Sequence, residues 1–90
     1  MDVQHIPGER FEVAMEGGAK ALLQYHRNGH RMVFLHTEVP PEFAGKGTGG
    51  LLAKTALDYA RAEALKVVPR CPYIAAYIAK HPEYQDLVAA

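Results

Sequence analysis

The chain has 90 residues, and its ten Lys and Arg side chains balance ten Asp and Glu side chains. This length suits one small domain, predicted over residues 1–90, and the zero net charge excludes a broad basic surface for nucleic acid or an anionic membrane. No stretch approaches the roughly 20 apolar residues of a membrane span and no signal peptide precedes Pro7, so we expect a cytoplasmic protein. The single cysteine, Cys71, excludes an internal disulfide, and no histidine spacing indicates a metal site.

Three strands are predicted in the first half of the chain. Apolar and polar residues alternate in the first strand. Gly17-Gly18 connects the first strand to the second, and Asn28-Gly29 connects the second strand to the third. Pro40 and Pro41 end the third strand, because proline cannot donate a hydrogen bond to a sheet. The short connections predict an antiparallel meander. The three segments are residues 11–16, 19–27 and 30–39.

The second half is predicted to form a helix, a strand and a second helix. Apolar residues recur at helical spacing over 52–63, which indicates an amphipathic helix of about 17 residues. The β-branched segment 66–70 predicts a short buried strand, parallel to the third strand. Pro72 suits the first position of a helix over 72–80. The tail, 83–90, is predicted to be a loose or docked turn of helix.

A glycine-rich loop joins the third strand to the first helix. Glycines at 45, 47 and 49 expose backbone N–H groups, and the helix N-terminus adds a partial positive charge, so the loop is predicted to bind a phosphate or pyrophosphate. The alternative is an ordinary connection without a ligand. A phosphate-loop NTPase is a poor fit, because Gly47 follows Lys46 where that motif requires Ser or Thr.

The run from Ala44 to Gly49 resembles the acyl-CoA pyrophosphate loop of the GCN5-related N-acetyltransferases, whose pattern is Gln or Arg, two residues, Gly, one residue, then Gly or Ala. Gly47 and Gly49 match the two small positions, whereas Ala44 stands where Gln or Arg is usual. Two blocks, EVPPEFAGKGTGGLLAKTALDYA from Glu38 and CPYIAAYIAKHPEY from Cys71, resemble the small stand-alone N-acetyltransferase-domain proteins. This resemblance covers residues 11–88.

The resemblance implies a single-domain α/β fold, in which an antiparallel meander is followed by a strand–helix–strand–helix unit. It also implies an acetyl-CoA cleft between two splayed strands, with the pantetheine arm pairing along the end of the third strand. The cofactor-binding residues predicted in this way are Thr37, Val39, Ala44, Gly45, Lys46, Gly47, Thr48, Gly49 and Gly50.

Two candidate catalytic residues lie at the start of the second helix and within it. Cys71 directly precedes it, where the helix dipole favours a thiolate, so Cys71 either accepts the acetyl group as a thioester or lines the coenzyme channel as a small apolar side chain. The family resemblance places Tyr77 where a tyrosine protonates the departing CoA thiolate; the alternative is an aromatic packing residue. Tyr73 is predicted to pack or to line the cleft.

His36 and Glu38 are the candidate base. Alternation along the third strand places Phe34 with them on one face. Near the coenzyme loop, the pair would deprotonate an incoming ammonium group; the alternative is an ordinary solvated pair. The remaining four histidines, His5 among them, are predicted to lie at the surface. The more apolar set, predicted to face the first helix, is Val33, Leu35, Thr37 and Val39.

These observations predict an enzyme that binds acetyl-CoA and moves its acetyl group to an amine. The connections between the predicted strands are too short to hold further helices, so the acceptor side is expected to be shallow and open. Such a surface suits a protein lysine, a chain terminus or a loosely held small amine. The alternative is a module that binds acyl-CoA or CoA without turnover.

Overall fold

Five strands and two helices make up the fold. The computed structural model describes residues 2–89, so the first and last residues of the predicted domain, and the end of the predicted tail, lie outside the described part. Within it, no helix has the length and apolar character needed to cross a membrane. The strands are β1 (Val3–Ile6), β2 (Arg10–Ala14), β3 (Lys20–Asn28), β4 (Arg31–Glu38) and β5 (Lys66–Pro69), and the helices are α1 (Thr48–Ala62) and α2 (Pro72–Lys80).

The strands form one sheet in the order β1-β2-β3-β4-β5. The first four pair antiparallel, and β5, which the chain reaches through α1, pairs parallel to β4. The predicted meander, the parallel strand and the bounds of α2 are confirmed. No sequence pattern predicts β1, because its four residues, VQHI, lack a clear apolar alternation.

The C-terminal segment packs beside β5 as the predicted docked turn. Pro82–Leu87 form a 3-10 turn, and Val88 bridges to Val67 of β5. The hydroxyl of buried Tyr84 donates a hydrogen bond to Asp58 of α1 at 2.7 Å. This bond ties the turn that follows α2 to α1, and so helps to fix the position of the two helices that flank the site described below.

A β-bulge at Leu35 determines which side chains of β4 face the helices. Phe34 pairs with Tyr25 of β3, and His36 pairs with Gln24, so Leu35 is the extra residue. Phe34 is fully buried on the helix side. Beyond the bulge, Thr37 pairs with fully buried Leu23 and therefore faces the same side as Phe34.

Because of this bulge, the faces predicted for the first half of β4 are wrong. Met32 and Phe34 lie in the core, whereas Val33 and Leu35 lie on the opposite face, where Leu35 is 43% exposed. Simple alternation fails because one inserted residue reverses the phase of the strand. The prediction that Thr37 faces the helices is confirmed.

Both helices pack on one face of the sheet. The side chains that α1 turns toward the strands include three alanines, which let the helix approach the sheet closely. Within residues 2–89 the opposite face carries no helix, so the domain has two layers. The buried core consists of Phe11, Val13, Ala21, Leu23, Tyr25, Met32, Phe34, Leu52, Ala53, Ala56, Leu57, Ala60, Leu65, Val67, Cys71, Ile74, Ile78, Tyr84 and Leu87.

His5 belongs to a half-buried aromatic cluster, so its predicted surface position is wrong. Its ring stacks on Phe11 with centroids 4.2 Å apart and meets Tyr59 edge-on at 4.5 Å. Its Nε2 lies 2.6 Å from the Tyr25 hydroxyl, which also accepts the Gly8 N–H at 2.9 Å. Burial lowers the pKa of His5 below its ordinary value of 6.5.

The lowered pKa of His5 links the stability of the fold to pH. As the pH falls below about 6.5, the unfolded chain binds a proton more readily than the folded chain, so the free energy of unfolding decreases. We expect a lower urea midpoint at about pH 5 than at about pH 8, and a smaller difference in His5→Phe, which keeps the aromatic ring. His30→Gln, which changes an exposed histidine, is the control. An unchanged pH dependence in His5→Phe would contradict this explanation.

Candidate functional site

A cavity of about 350 Å³ lies where β4 and β5 stop pairing. Its volume is at the lower end of the range for small-molecule sites. The lining residues are Thr37, Val39, Phe43, Ala44, Gly45, Gly47, Thr48, Gly49, Gly50 and Tyr73. Eight of the nine residues predicted to bind the cofactor are therefore brought together around one cavity, and Lys46 is the one that is not on its wall.

Beside this cavity, the glycine loop presents backbone N–H groups that have no main-chain acceptor in the described part of the chain. Gly45 and Gly47 both have a φ of 80°, a left-handed conformation that other residues rarely adopt. Gly47 is the N-cap of α1, and the first turn has no side-chain cap and no acidic residue. Among residues 2–89, no main-chain carbonyl accepts a hydrogen bond from the amides of Gly45, Lys46, Gly47 or Gly49. The start of α1 therefore offers N–H donors and a partial positive charge.

Gly49 is needed for a different reason, a close approach by Tyr73. A Cβ atom at Gly49 would stand 2.7 Å from the Tyr73 hydroxyl oxygen and 2.9 Å from ring carbon Cζ. Such distances exclude any side chain unless Tyr73 moves. Tyr73, which is 44% exposed, lies over the first turn of α1, and the prediction that it packs or lines the cleft is confirmed.

Beside the cavity, β4 continues beyond its partner β5. The pairing of the two strands ends at Phe34 and Pro69, after which the Cys71 N–H donates to the Phe34 carbonyl at 2.9 Å and α2 begins. Residues 36–38 of β4 therefore pair with β3 on one side only. Their other edge is open, and an open strand edge can pair with an extended partner.

Cys71 lies directly behind the cavity wall. Its side chain is 2% exposed, and its Sγ atom lies 3.2 Å from Oγ1 of Thr37, which does line the cavity. Cys71 occupies the N-cap position of α2, as the sequence predicts. The structure thus brings Cys71 to the site but covers its sulfur, and a covalent role for this residue stays a prediction.

Tyr77 lines a neighbouring hollow on α2, which Tyr73 separates from the cavity. The ring of Tyr77 stacks on His81 with centroids 3.9 Å apart. Burial raises the pKa of Tyr77 above its ordinary value, which makes its hydroxyl a weaker acid. The assignment of Tyr77 as proton donor stays a prediction, and Tyr73 has the tyrosine hydroxyl that lies on the cavity wall.

His36 and Glu38 lie together, with Nε2 and Oε2 3.6 Å apart and both side chains mostly exposed. Their β3 partners, Gln24 and Leu22, alternate with the buried residues of that strand. The pair is therefore on the helix-free face, whereas Thr37 between them faces the cavity. The role of the His36 and Glu38 pair as a base stays a prediction.

Phe43 is a cavity residue that the sequence-based prediction missed. It ends the 3-10 turn Pro41–Phe43, and the ammonium group of Lys46 lies 5.9 Å from the centroid of its ring. The signal in the sequence is an isolated aromatic residue directly before Ala44 and the glycine loop. An apolar side chain at this point is consistent with a ligand that has both a charged and an apolar part.

Comparisons with known proteins agree with this geometry. The profile of the family described as GCN5-related N-acetyl-transferase matches residues 10–87. Protein NATD1 of Mus musculus is 41% identical over 80 residues, which cover 87% of this chain and 73% of that protein. Protein NATD1 of Danio rerio is 35% identical over 91 residues, which cover 96% and 83%.

The fold is similar as well to that of a GCN5-like protein from Staphylococcus aureus solved by NMR. The TM-score is 0.78 at 25% sequence identity, over 99% of this chain and 88% of the other. The predicted fold class and the resemblance stated from the loop are therefore confirmed. Since the family profile spans most of the sequence and relatives exceed 30% identity over most of their length, the chain belongs to the GCN5-related N-acetyltransferase family.

Proposed function

We propose that this protein binds acetyl-CoA in the cavity beside the glycine loop and transfers its acetyl group to an amine. The observation that carries the proposal is the open start of α1, where amides of the glycine loop have no main-chain acceptor beside a cavity of ligand size. Membership in the N-acetyltransferase family supports the same donor.

The loop residues fit a diphosphate. A side chain at Gly45 or Gly47 would strain the backbone, and one at Gly49 would meet Tyr73, so the three glycines keep the main chain accessible. The helix start adds a partial positive charge, with no acidic group in the first turn to oppose it. The exposed ammonium group of Lys46 lies close by as a second source of positive charge.

The open edge of β4 fits the amide-bearing arm of the coenzyme. Thr37 and Val39 line the cavity, and the backbone of residues 36–38 has no strand on that side. Amide groups of an extended ligand continue a sheet ladder by pairing with such an edge. Acetyl-CoA, when bound, supplies a thioester carbonyl that a neutral amine can attack.

We assign the two proton transfers to two side-chain groups. Tyr73 lines the cavity with its hydroxyl close to Gly49, and this hydroxyl would protonate the sulfur that leaves. An amine must also lose a proton before it attacks, and the His36 and Glu38 pair lies on the opposite face of the same strand segment. The pair can accept that proton directly or through water.

A second candidate function is binding of CoA or acyl-CoA without turnover. Two observations favour it. Ala44 supplies no side-chain contact where the family usually has Gln or Arg, and the side chains of His36 and Glu38, the candidate base, are exposed. Calorimetry with acetyl-CoA and CoA, followed by a thiol-release assay over a panel of amines, separates the two functions. Tight binding with no thiol release on any amine would favour the module.

The glycine loop can be tested with two glycines of the same conformation. Gly47 and Gly18 have φ of 80° and 82°, but Gly18 lies in a turn outside the cavity. Alanine at either position should cost about 1 kcal/mol of stability through backbone strain. We expect Gly47→Ala to weaken acetyl-CoA binding about tenfold or more by displacing charge-assisted hydrogen bonds, with Gly18→Ala unchanged. Equal affinities in a calorimetric titration of the two variants would contradict the proposed diphosphate site.

The two tyrosines can be separated by removing one hydroxyl at a time. We expect Tyr73→Phe to lower kcat by about a hundredfold, since a positioned acid contributes that much or more, with little change in acetyl-CoA affinity. Tyr77→Phe is the matched control and should keep its kcat in the same thiol-release assay. The reverse result would return the role of acid to Tyr77, as the family resemblance implies.

The route of transfer can be tested at Cys71. Because its sulfur is covered by Thr37, we expect direct transfer, so Cys71→Ala should keep most of its turnover. Intact mass spectrometry of the wild-type protein after incubation with acetyl-CoA should show no acetyl adduct that hydroxylamine removes. Loss of turnover in Cys71→Ala, together with such an adduct in the wild-type protein, would establish the covalent route instead.

A further inference from the structure

The helix-free face of the sheet carries a hollow with an apolar floor and a basic rim. The floor is formed by Val33, Leu35 and Val68, and the rim by Asn28 and three basic residues, His26, Arg31 and Arg70; we call these seven residues the basic hollow. Val33 and Val68 are register partners on β4 and β5. No carboxylate lines the hollow. Both helices pack on the other face, so nothing in residues 2–89 covers it.

The two arginines of the basic hollow lack partners of opposite charge. Arg10 and Arg61 each pair with a carboxylate, at 2.9 Å in both cases. Across the described chain, neither Arg31 nor Arg70 makes an ion pair with any carboxylate. Two unpaired guanidinium groups beside exposed aliphatic side chains form a surface that attracts carboxylates and apolar groups together.

We propose that the basic hollow docks an acidic, aliphatic segment of a polypeptide, and that this polypeptide carries the amine that is acetylated. The second half of the proposal rests on the proposed function. Arginine binds carboxylates with two parallel hydrogen bonds, and the valine and leucine floor accepts an aliphatic side chain from the segment. Charge complementarity therefore selects a partner with Asp or Glu next to Leu, Ile or Val.

The charges of the hollow disfavour two other occupants. A second copy of the chain, paired hollow to hollow about a two-fold axis, would bring two basic rims together, which is repulsive. A nucleic acid requires many phosphate contacts, whereas the hollow has two arginines around an apolar floor in a chain with no net charge. An acidic, aliphatic segment places carboxylates against the basic rim and apolar side chains against the floor.

The basic hollow ends at the place where acetyl transfer is proposed. Leu35 directly precedes His36, and Arg70 directly precedes Cys71, which contacts Thr37 on the cavity wall. The hollow and the His36 and Glu38 pair are on the same helix-free face, and the cavity is on the other. An amine on the docked segment therefore reaches the gap between β4 and β5 from the side opposite the coenzyme.

Two synthetic peptides test the docking directly. One alternates Glu and Leu and contains a single Lys; its twin has Gln in place of every Glu. We expect a fluorescent label on the acidic peptide to report saturable binding that weakens with salt, and binding of the twin at least about tenfold weaker. The double variant Arg31→Glu, Arg70→Glu should lose this preference for the acidic peptide, and Arg31→Gln, Arg70→Gln should reduce it.

Arg27→Glu is the matched control variant. Arg27 is exposed and next to His26 in sequence, but it pairs with buried Met32 and so lies on the other face. Arg27→Glu reverses one charge, half the total change in the double variant, and should keep the preference for the acidic peptide. Circular dichroism checks that each variant is folded. Equal binding of the two peptides, or a preference that survives in Arg31→Glu, Arg70→Glu, would overturn the proposal.

Acetylation of the same peptides separates this proposal from the proposed function. We expect kcat/KM for the acidic peptide to exceed that of its twin by about tenfold, mainly through KM. If the peptide docks but neither it nor any small amine releases thiol, the transferase proposal fails and the acceptor half of this one fails with it. If amines react but the peptide does not bind, the docking proposal alone fails. A dimer detected by sedimentation and lost in Arg31→Glu, Arg70→Glu would place a second copy in the hollow and overturn it.

Discussion

The one-residue bulge in β4 is the constraint on which the arrangement of the site depends. Without it, the phase that buries Phe34 would also bring His36 and Glu38 to the helix side and turn Thr37 away. Because Leu35 is inserted, Phe34 fills the core while Thr37 faces the cavity. The pairing with β5 ends at Phe34, directly before the insertion, which leaves a strand edge open beside the glycine loop. One local irregularity therefore brings the core residue Phe34 and the cavity residue Thr37 to the same side of the sheet.

The glycine loop and the gap between β4 and β5 border the same cavity because α1 and α2 are held in a fixed position relative to each other. Tyr73 packs over Gly49 so closely that no side chain fits between them, and the bond from Tyr84 to Asp58 ties the turn that follows α2 to α1. The start of α1, Tyr73 of α2 and the edge of β4 thus line one cavity. A helix start by itself binds anions weakly; the position between an aromatic ring and a strand is what gives the site its shape.

Local sequence patterns predict most of the elements and most of the cavity wall. Turn residues and prolines delimit the meander, and glycine spacing places the loop and the start of α1. The faces of β4 are not predictable in this way, because the bulge depends on pairing with β3 across a turn. His5 is misplaced for the same kind of reason: its neighbours Phe11, Tyr25 and Tyr59 come together only in the folded chain. Similarly, whether Tyr73 or Tyr77 lines the cavity depends on how α2 lies against α1.

The two-layer architecture separates the proposed donor and acceptor sides by one sheet. Helices cover the face that carries the glycine loop, where the cavity opens beside the start of α1. The other face lacks helices within residues 2–89, and its hollow is open to solvent. Selectivity for an acceptor on such a face has to come from surface charge and exposed aliphatic groups. The unpaired Arg31 and Arg70 beside Leu35 provide both. These residues lie next to the gap between β4 and β5, where the proposed coenzyme side and acceptor side of the sheet meet.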